Sequence, residues 1–120
     1  LLIRQYRYAV GGVTLEVPAG AIDDGEAPIE TARRELGEEA LVTSDRIEPL
    51  GEFTTSPGRM DERGYVFIAL DCRPDPEARQ HEPTIPVRMP LDEAIGLIGS
   101  EVLAATSSLA LLLAQRHLDR

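Results

Sequence analysis

"GAIDDGEAPIETARRELGEEALV", residues 20 to 42, decides the reading of this chain. Pro28 suits the first position of a helix, where its missing N–H costs nothing. Ile29, Ala32, Leu36 and Ala40 then recur at helical spacing and mark a buried stripe. Glu35, Glu38 and Glu39 stand three and four residues apart on that helix, so they crowd one patch. Like charges at those spacings cost an isolated helix roughly 0.2–0.5 kcal/mol per pair. They also fall in the later half of the helix, where the macrodipole disfavours anions. A solvated acidic face is the plain explanation. The other is a hard divalent cation such as Mg²⁺, which takes oxygen ligands and is commonly shared with substrate phosphates. The patch adjoins the apolar stripe and follows a glycine-containing loop, which favours the cation. Without one, folding gains nothing from the cluster.

Around this segment the chain alternates. Tyr6, Tyr8 and Val10, then Gly11 and Gly12, then Val13, Leu15 and Val17 predict a β-hairpin with a two-residue glycine turn. Strands are expected near 46–53 and 63–71, where "YVFIAL" reads as buried on both faces, with Tyr65, Phe67, Ile68 and Leu70 in the core. "TTSPG" (54–58) and the Pro- and charge-rich stretch 73–83 read as loops. A short strand near 84–89, a helical turn at "LDEAIGLI" (91–98) and a helix over 105–118 complete an α+β pattern. Residues 1–120 read as a single domain, and Leu1 stands inside a strand pattern, so a preceding native segment is expected.

The formal net charge of −9 argues against a broad nucleic-acid or anionic-membrane surface. The longest apolar run, "LALLLA" (109–114), falls far short of the ~20 residues of a membrane span. The single cysteine, Cys72, forms no internal disulfide, which suits the cytoplasm.

The segment resembles the Nudix box: Gly20, five residues, Glu26, seven residues, then Arg34-Glu35-Leu36, Gly37, Glu38-Glu39 and Val42 in register. Leu41 stands where that pattern has Gly, at a helix end where a left-handed residue is often wanted. "RQYR" (4–7), "LEVPAG" (15–20), "SPG" (56–58) and "MPLDEA" (89–94) are similar to the ADP-ribose pyrophosphatase branch of Nudix hydrolases. The resemblance implies a Nudix fold, an α/β/α sandwich with a mixed sheet. It implies Mg²⁺, or Mn²⁺ in its place, held by Glu35, Glu39 and the Ala19 carbonyl, with Glu38 in support. Gly20, Glu26 and Arg34 would hold the helix face in place.

The resemblance further implies hydrolysis of ADP-ribose to AMP and ribose 5-phosphate, by a homodimer. Glu39 and a loop glutamate would carry the catalysis. Glu82 matches that loop position by its distance to "PLDEA", and Glu77 is the rival. Arg7 would contact the diphosphate, and Gly58 would let the backbone approach the ligand. His81 is expected at the surface, and His117 is read, like Cys72, as a structural or surface residue. The rival functions are hydrolysis of another nucleotide sugar or a nucleoside triphosphate, and an ADP-ribose sensor without catalysis.

Overall fold

In the computed structural model, which describes residues 1–120, β1 (Leu2–Arg7) lies at the centre of a three-stranded antiparallel sheet. β2 (Gly12–Glu16) pairs with it in the register Ile3 to Glu16 and Gln5 to Thr14. The short strand β7 (Ile85–Val87) pairs on its other edge, with Leu2 opposite Val87. The hairpin turn is longer than the predicted glycine pair. Tyr8–Val10 coil into a 3₁₀ turn, and Gly11 closes it at φ 70°, donating to the carbonyls of Arg7 and Tyr8. Gly11 alone supplies the left-handed residue, so Tyr8 and Val10 leave the strand and stand exposed.

Helix α1 runs from Pro28 to Ala40, starting at the predicted proline. Its most deeply buried residues are Thr31, Gly37, Glu39 and Ala40. Of the predicted stripe only Ala40 is fully covered, while Ile29, Ala32 and Leu36 are half-buried. The helix face turned inward is therefore lined by small and polar groups. Leu41 ends the helix at φ 57°, ψ 33°, with its N–H directed to Gly37 and Leu36 carbonyls. An L side chain in that conformation costs roughly 1–2 kcal/mol, part of which glycine returns as unfolded-chain entropy. Leu41→Gly should therefore raise stability by about 1 kcal/mol in urea denaturation, with the helix unchanged. A loss of stability would mean that the half-exposed leucine packs usefully.

β4 (Arg46–Thr54) and β5 (Arg63–Leu70) form an antiparallel ladder whose register slips between Pro49 and Gly51. Pro49 lacks a ladder donor, and a bulge accommodates it. The predicted core of β5 is not fully formed: Phe67, Ile68 and Leu70 are half-buried and Tyr65 is 39% exposed. A two-stranded ladder touched by α1 and a single later helix leaves parts of both faces open. Within the predicted loop 73–83, Arg73–Pro74 form a strand, β6, paired with β3 (Val42–Thr43) just after α1. All these ladders are antiparallel. The parallel pairing is an isolated bridge between Ile98 and Val102.

α2 (Leu91–Gly96) and α3 (Ala105–Leu118) pack against each other, and α3 also reaches β4 and β5. Helices thus flank the strands, α1 touching β3, β4, β5 and β7. The main core joins Leu2 and Leu15 of the first sheet to Ala94, Val102 and Leu111. Successive strand residues point to opposite faces, so that core leaves Thr14 and Glu16 on the other face of β2. No helix is long and apolar enough to cross a membrane.

Candidate active site

The polar face of the hairpin, the loop 18–27 and the inner face of α1 meet around Glu39. This carboxylate is only 2% exposed. Its Oε1 accepts the Ala19 N–H at 2.7 Å, and its backbone carbonyl accepts the Thr84 hydroxyl at 2.7 Å. Burial pushes the Glu39 carboxyl up to about 7, and the neighbouring Glu35 and Glu82 push the same way. The Ala19 bond opposes them without cancelling them. A deeply covered anion without a cationic partner is unstable in its charged form.

Glu35 lies one helical turn earlier and is raised as well, first by burial. Its carboxylate rests on the Cα of Gly20, where an added Cβ would stand 1.9 Å from Glu35 Oε1. Gly20 is therefore required by the close approach of the carboxylate. Gly20→Ala should displace only the end of a flexible side chain and leave the fold nearly as stable. Misplacing a functional group by about 1 Å can cost ~10²-fold in rate, so any catalysis that uses Glu35 should fall by about that much in a steady-state assay. A normally active Gly20→Ala protein would remove Glu35 from the mechanism.

Arg34 answers the puzzle of the crowded glutamates. Its Nε and Nη2 clasp Glu26 at 2.9 Å each. Nη1 donates to Glu35 at 2.9 Å and to Glu38 at 3.1 Å, and Nη2 also reaches the Ala21 carbonyl at 3.0 Å. The fork, with the Thr31 hydroxyl next, pulls the Glu26 carboxyl down to about 2, and Arg34 itself is held well above its usual range. Arg34 relieves the patch only in part: the Glu35 carboxyl stays above its ordinary range in spite of the pairing, and the carboxylate Arg34 clearly stabilises is Glu26, outside the patch. Arg34 pairs with Glu26, Glu35 and Glu38. Glu39, facing the other way, has no such pairing and remains the strained member.

The loop before β7 brings Glu82 to the same region. Glu82 Oε2 accepts from Gln5 Nε2 at 3.0 Å, and its charge acts on Glu35, Glu39 and Arg7. Arg7 is held by Glu16 through two bonds of 2.9 and 3.0 Å, and Thr14 bonds the same carboxylate. Glu77 lies on the Glu38 side of the patch, in an open groove of about 360 Å³ lined also by Arg33, Arg34, Glu38, Arg79 and His81. His81 is largely exposed, with Nδ1 3.6 Å from Glu38. Gly58 occupies the exposed turn after β4, with open space around its Cα and no tie to the glutamates. His117 stands 3.7 Å from Glu48, and the Cys72 thiol bonds the Ala69 carbonyl, so neither joins the site.

Sequence reasoning assigned no part to Thr84, Gln5 or Glu16. Gln5 and Glu16 lie in motifs singled out for other residues. Thr84 sits unmarked among prolines in "EPTIPV".

Carboxylate oxygens are the chemistry of Mg²⁺ or Mn²⁺ sites, and the buried Glu39 carboxylate, which makes no ion pair, fits such an ion. No three His, Cys, Asp or Glu side chains yet converge at ligand distance. The Arg34 Nη1 group stands between Glu35 and Glu38.

Comparison with known proteins places the NUDIX domain over residues 1–114. An ADP-ribose pyrophosphatase of Bacillus subtilis is 33% identical over 115 residues, covering 92% of this chain and 62% of that protein. An ADP-ribose pyrophosphatase of Mycobacterium tuberculosis is 38% identical over 84 residues, 68% of this chain and 41% of its own length. The ADP compounds hydrolase NudE of Escherichia coli is 30% identical over 99 residues, 82% of this chain and 53% of its own. The chain thus spans between 41% and 62% of these relatives. The crystal structure of an ADP compounds hydrolase superposes with a TM-score of 0.87 at 29% identity, over 98% of this chain and 65% of that one. With the box glutamates gathered around Gly20 and Ala19 and the fold shared, the chain belongs to the NUDIX domain family.

Proposed function

We propose that this chain hydrolyses the diphosphate of a nucleoside diphosphate linked to a second moiety, ADP-ribose foremost, giving AMP and ribose 5-phosphate. The observation that carries the reading is the placement of Glu39, buried beside Glu35 and Ala19 with Glu82 acting on it. Likeness to proteins named ADP-ribose pyrophosphatase supports the substrate. Water adds to one phosphorus, the bridging P–O bond breaks, and the bridging oxygen leaves with the other phosphate. Glu82 takes the proton of the attacking water. Arg7, kept in place by Glu16, meets the diphosphate, and Gly58 lets the ligand approach the chain. Glu35, Glu39 and the Ala19 carbonyl would hold Mg²⁺ or Mn²⁺, with Glu38 in support. The ion, when bound, neutralises phosphate charge and acidifies water. The residues' main work is positioning and charge stabilisation, as in phosphoryl transfer generally.

The chain works, in our reading, as a cytoplasmic homodimer, without nucleic acid or membrane as partner. A second reading, another ADP-linked compound as substrate, is favoured by the likeness to ADP compounds hydrolases. A panel of ADP-ribose, ADP-sugars and nucleoside triphosphates, each with Mg²⁺ and with chelator, tests the proposal by product chromatography. ADP-ribose should turn over fastest, with no product in chelator. A clear preference for triphosphates would move the chain to another branch of the family.

A further inference from the structure

Gln5 sits on β1 two residues before Arg7, on the same face. Its Nε2 donates to Glu82 at 3.0 Å, while its Oε1 is buried and has no partner. A glutamine amide can offer a carboxylate either its nitrogen or its oxygen, and only the nitrogen is attracted. Turning the amide over would set oxygen against oxygen. The orientation that orphans Oε1 is therefore the one Glu82 requires. A buried acceptor without a donor is destabilising, and a protein that tolerates one at a functional site gains something there.

The other bonds around Glu82 act on the backbone of its loop. Thr84 donates its hydroxyl to the Glu39 carbonyl and its N–H to the Glu82 carbonyl. Those contacts act on the loop backbone, and none of them touches the Glu82 carboxylate. The Gln5 amide is the group that bonds it. We propose that Gln5 is a positioning residue, holding the Glu82 carboxylate toward the reacting water. This rests on the reading of Glu82 as the base.

Gln5→Met keeps the length of the side chain and removes both amide atoms. Its kcat should fall about tenfold, with KM changed by less than about twofold. Its melting temperature should hold or rise, because the orphaned acceptor goes too. A merely structural glutamine would instead lower the melting temperature and leave kcat alone, and that result overturns the proposal. In a Glu82→Gln background the same change should slow nothing further, since no base is left to aim. An equal tenfold loss there, or a Gln5→Met enzyme at the parent rate, also overturns the positioning role while leaving the hydrolase reading intact. A parent protein that cleaves no diphosphate substrate overturns both.

Discussion

Glu39→Gln should lower the proposed hydrolysis of ADP-ribose by orders of magnitude, because it would withdraw one carboxylate from the cation the site would hold, while making the cation-free protein more stable above pH 7. The two effects come from one fact. The carboxyl is buried, makes no ion pair, and is pushed up to about 7 in the fold against an ordinary 4.5, the charge of Arg7 offsetting this only in part. In the folded state the proton is held more tightly than in the unfolded chain. The penalty is therefore absent below about pH 4.5, grows as pH rises, and is complete above about 7. An amide is neutral at every pH and still accepts the Ala19 N–H. Melting curves in chelator should accordingly converge for parent and variant in acid and separate toward neutral pH, the variant higher. Glu26 works in the opposite direction. Its carboxyl, drawn down to about 2 by Arg34, loses its contribution only as pH falls from 4.5 through that value. A Glu39→Gln protein that melts lower than the parent at pH 8 would mean that the carboxylate stabilises the fold.

Glu82→Gln should lower kcat by about 10²–10⁴-fold and leave KM near the parent value. On the proposed reading the base is needed when the water attacks, and substrate binding rests on other groups. Glu77→Gln should turn over almost normally. Glu77 sits in the groove with Arg33 and Arg79, and its own N–H is tied to Asp75 in a local turn. The measurement is steady-state kinetics of both variants side by side. A damaged Glu77→Gln enzyme beside a normal Glu82→Gln enzyme would reverse the assignment.

The elements with strong local signals were legible in the sequence. Pro28 started α1, and the helix at 105–118 ended where its pattern ended. The hairpin was visible but its turn was not, because Gly11 and Gly12 look like a turn pair and only Gly11 takes the left-handed position. Burial on β5 was misread because "YVFIAL" is hydrophobic in both alternating sets, and composition does not reveal how many strands lie beside it. That Glu35, Glu38 and Glu39 lie close together could be read from their spacing. Their division of labour could not. It depends on which way each carboxylate leans, Glu35 and Glu38 toward Arg34 and Glu39 toward Ala19. Gln5 and Thr84 reach Glu82 and Glu39 through tertiary contacts that no local pattern announces.

The role of Arg34 also sharpens the test of the helix patch. Replacing Glu38 would break an ion pair with Arg34 at 3.1 Å, so the informative change is Glu39 alone. Thermal melts of parent and Glu39→Gln, each in chelator and in Mg²⁺, test the central claim most directly. A ligand that binds only the folded state stabilises it by mass action. Mg²⁺ should raise the melting temperature of the parent and do little for the variant, which should already melt higher than the parent in chelator at pH 8. A variant that melts well below the parent in chelator, yet responds to Mg²⁺ and hydrolyses ADP-ribose as the parent does, would show Glu39 to be scaffold and contradict the account.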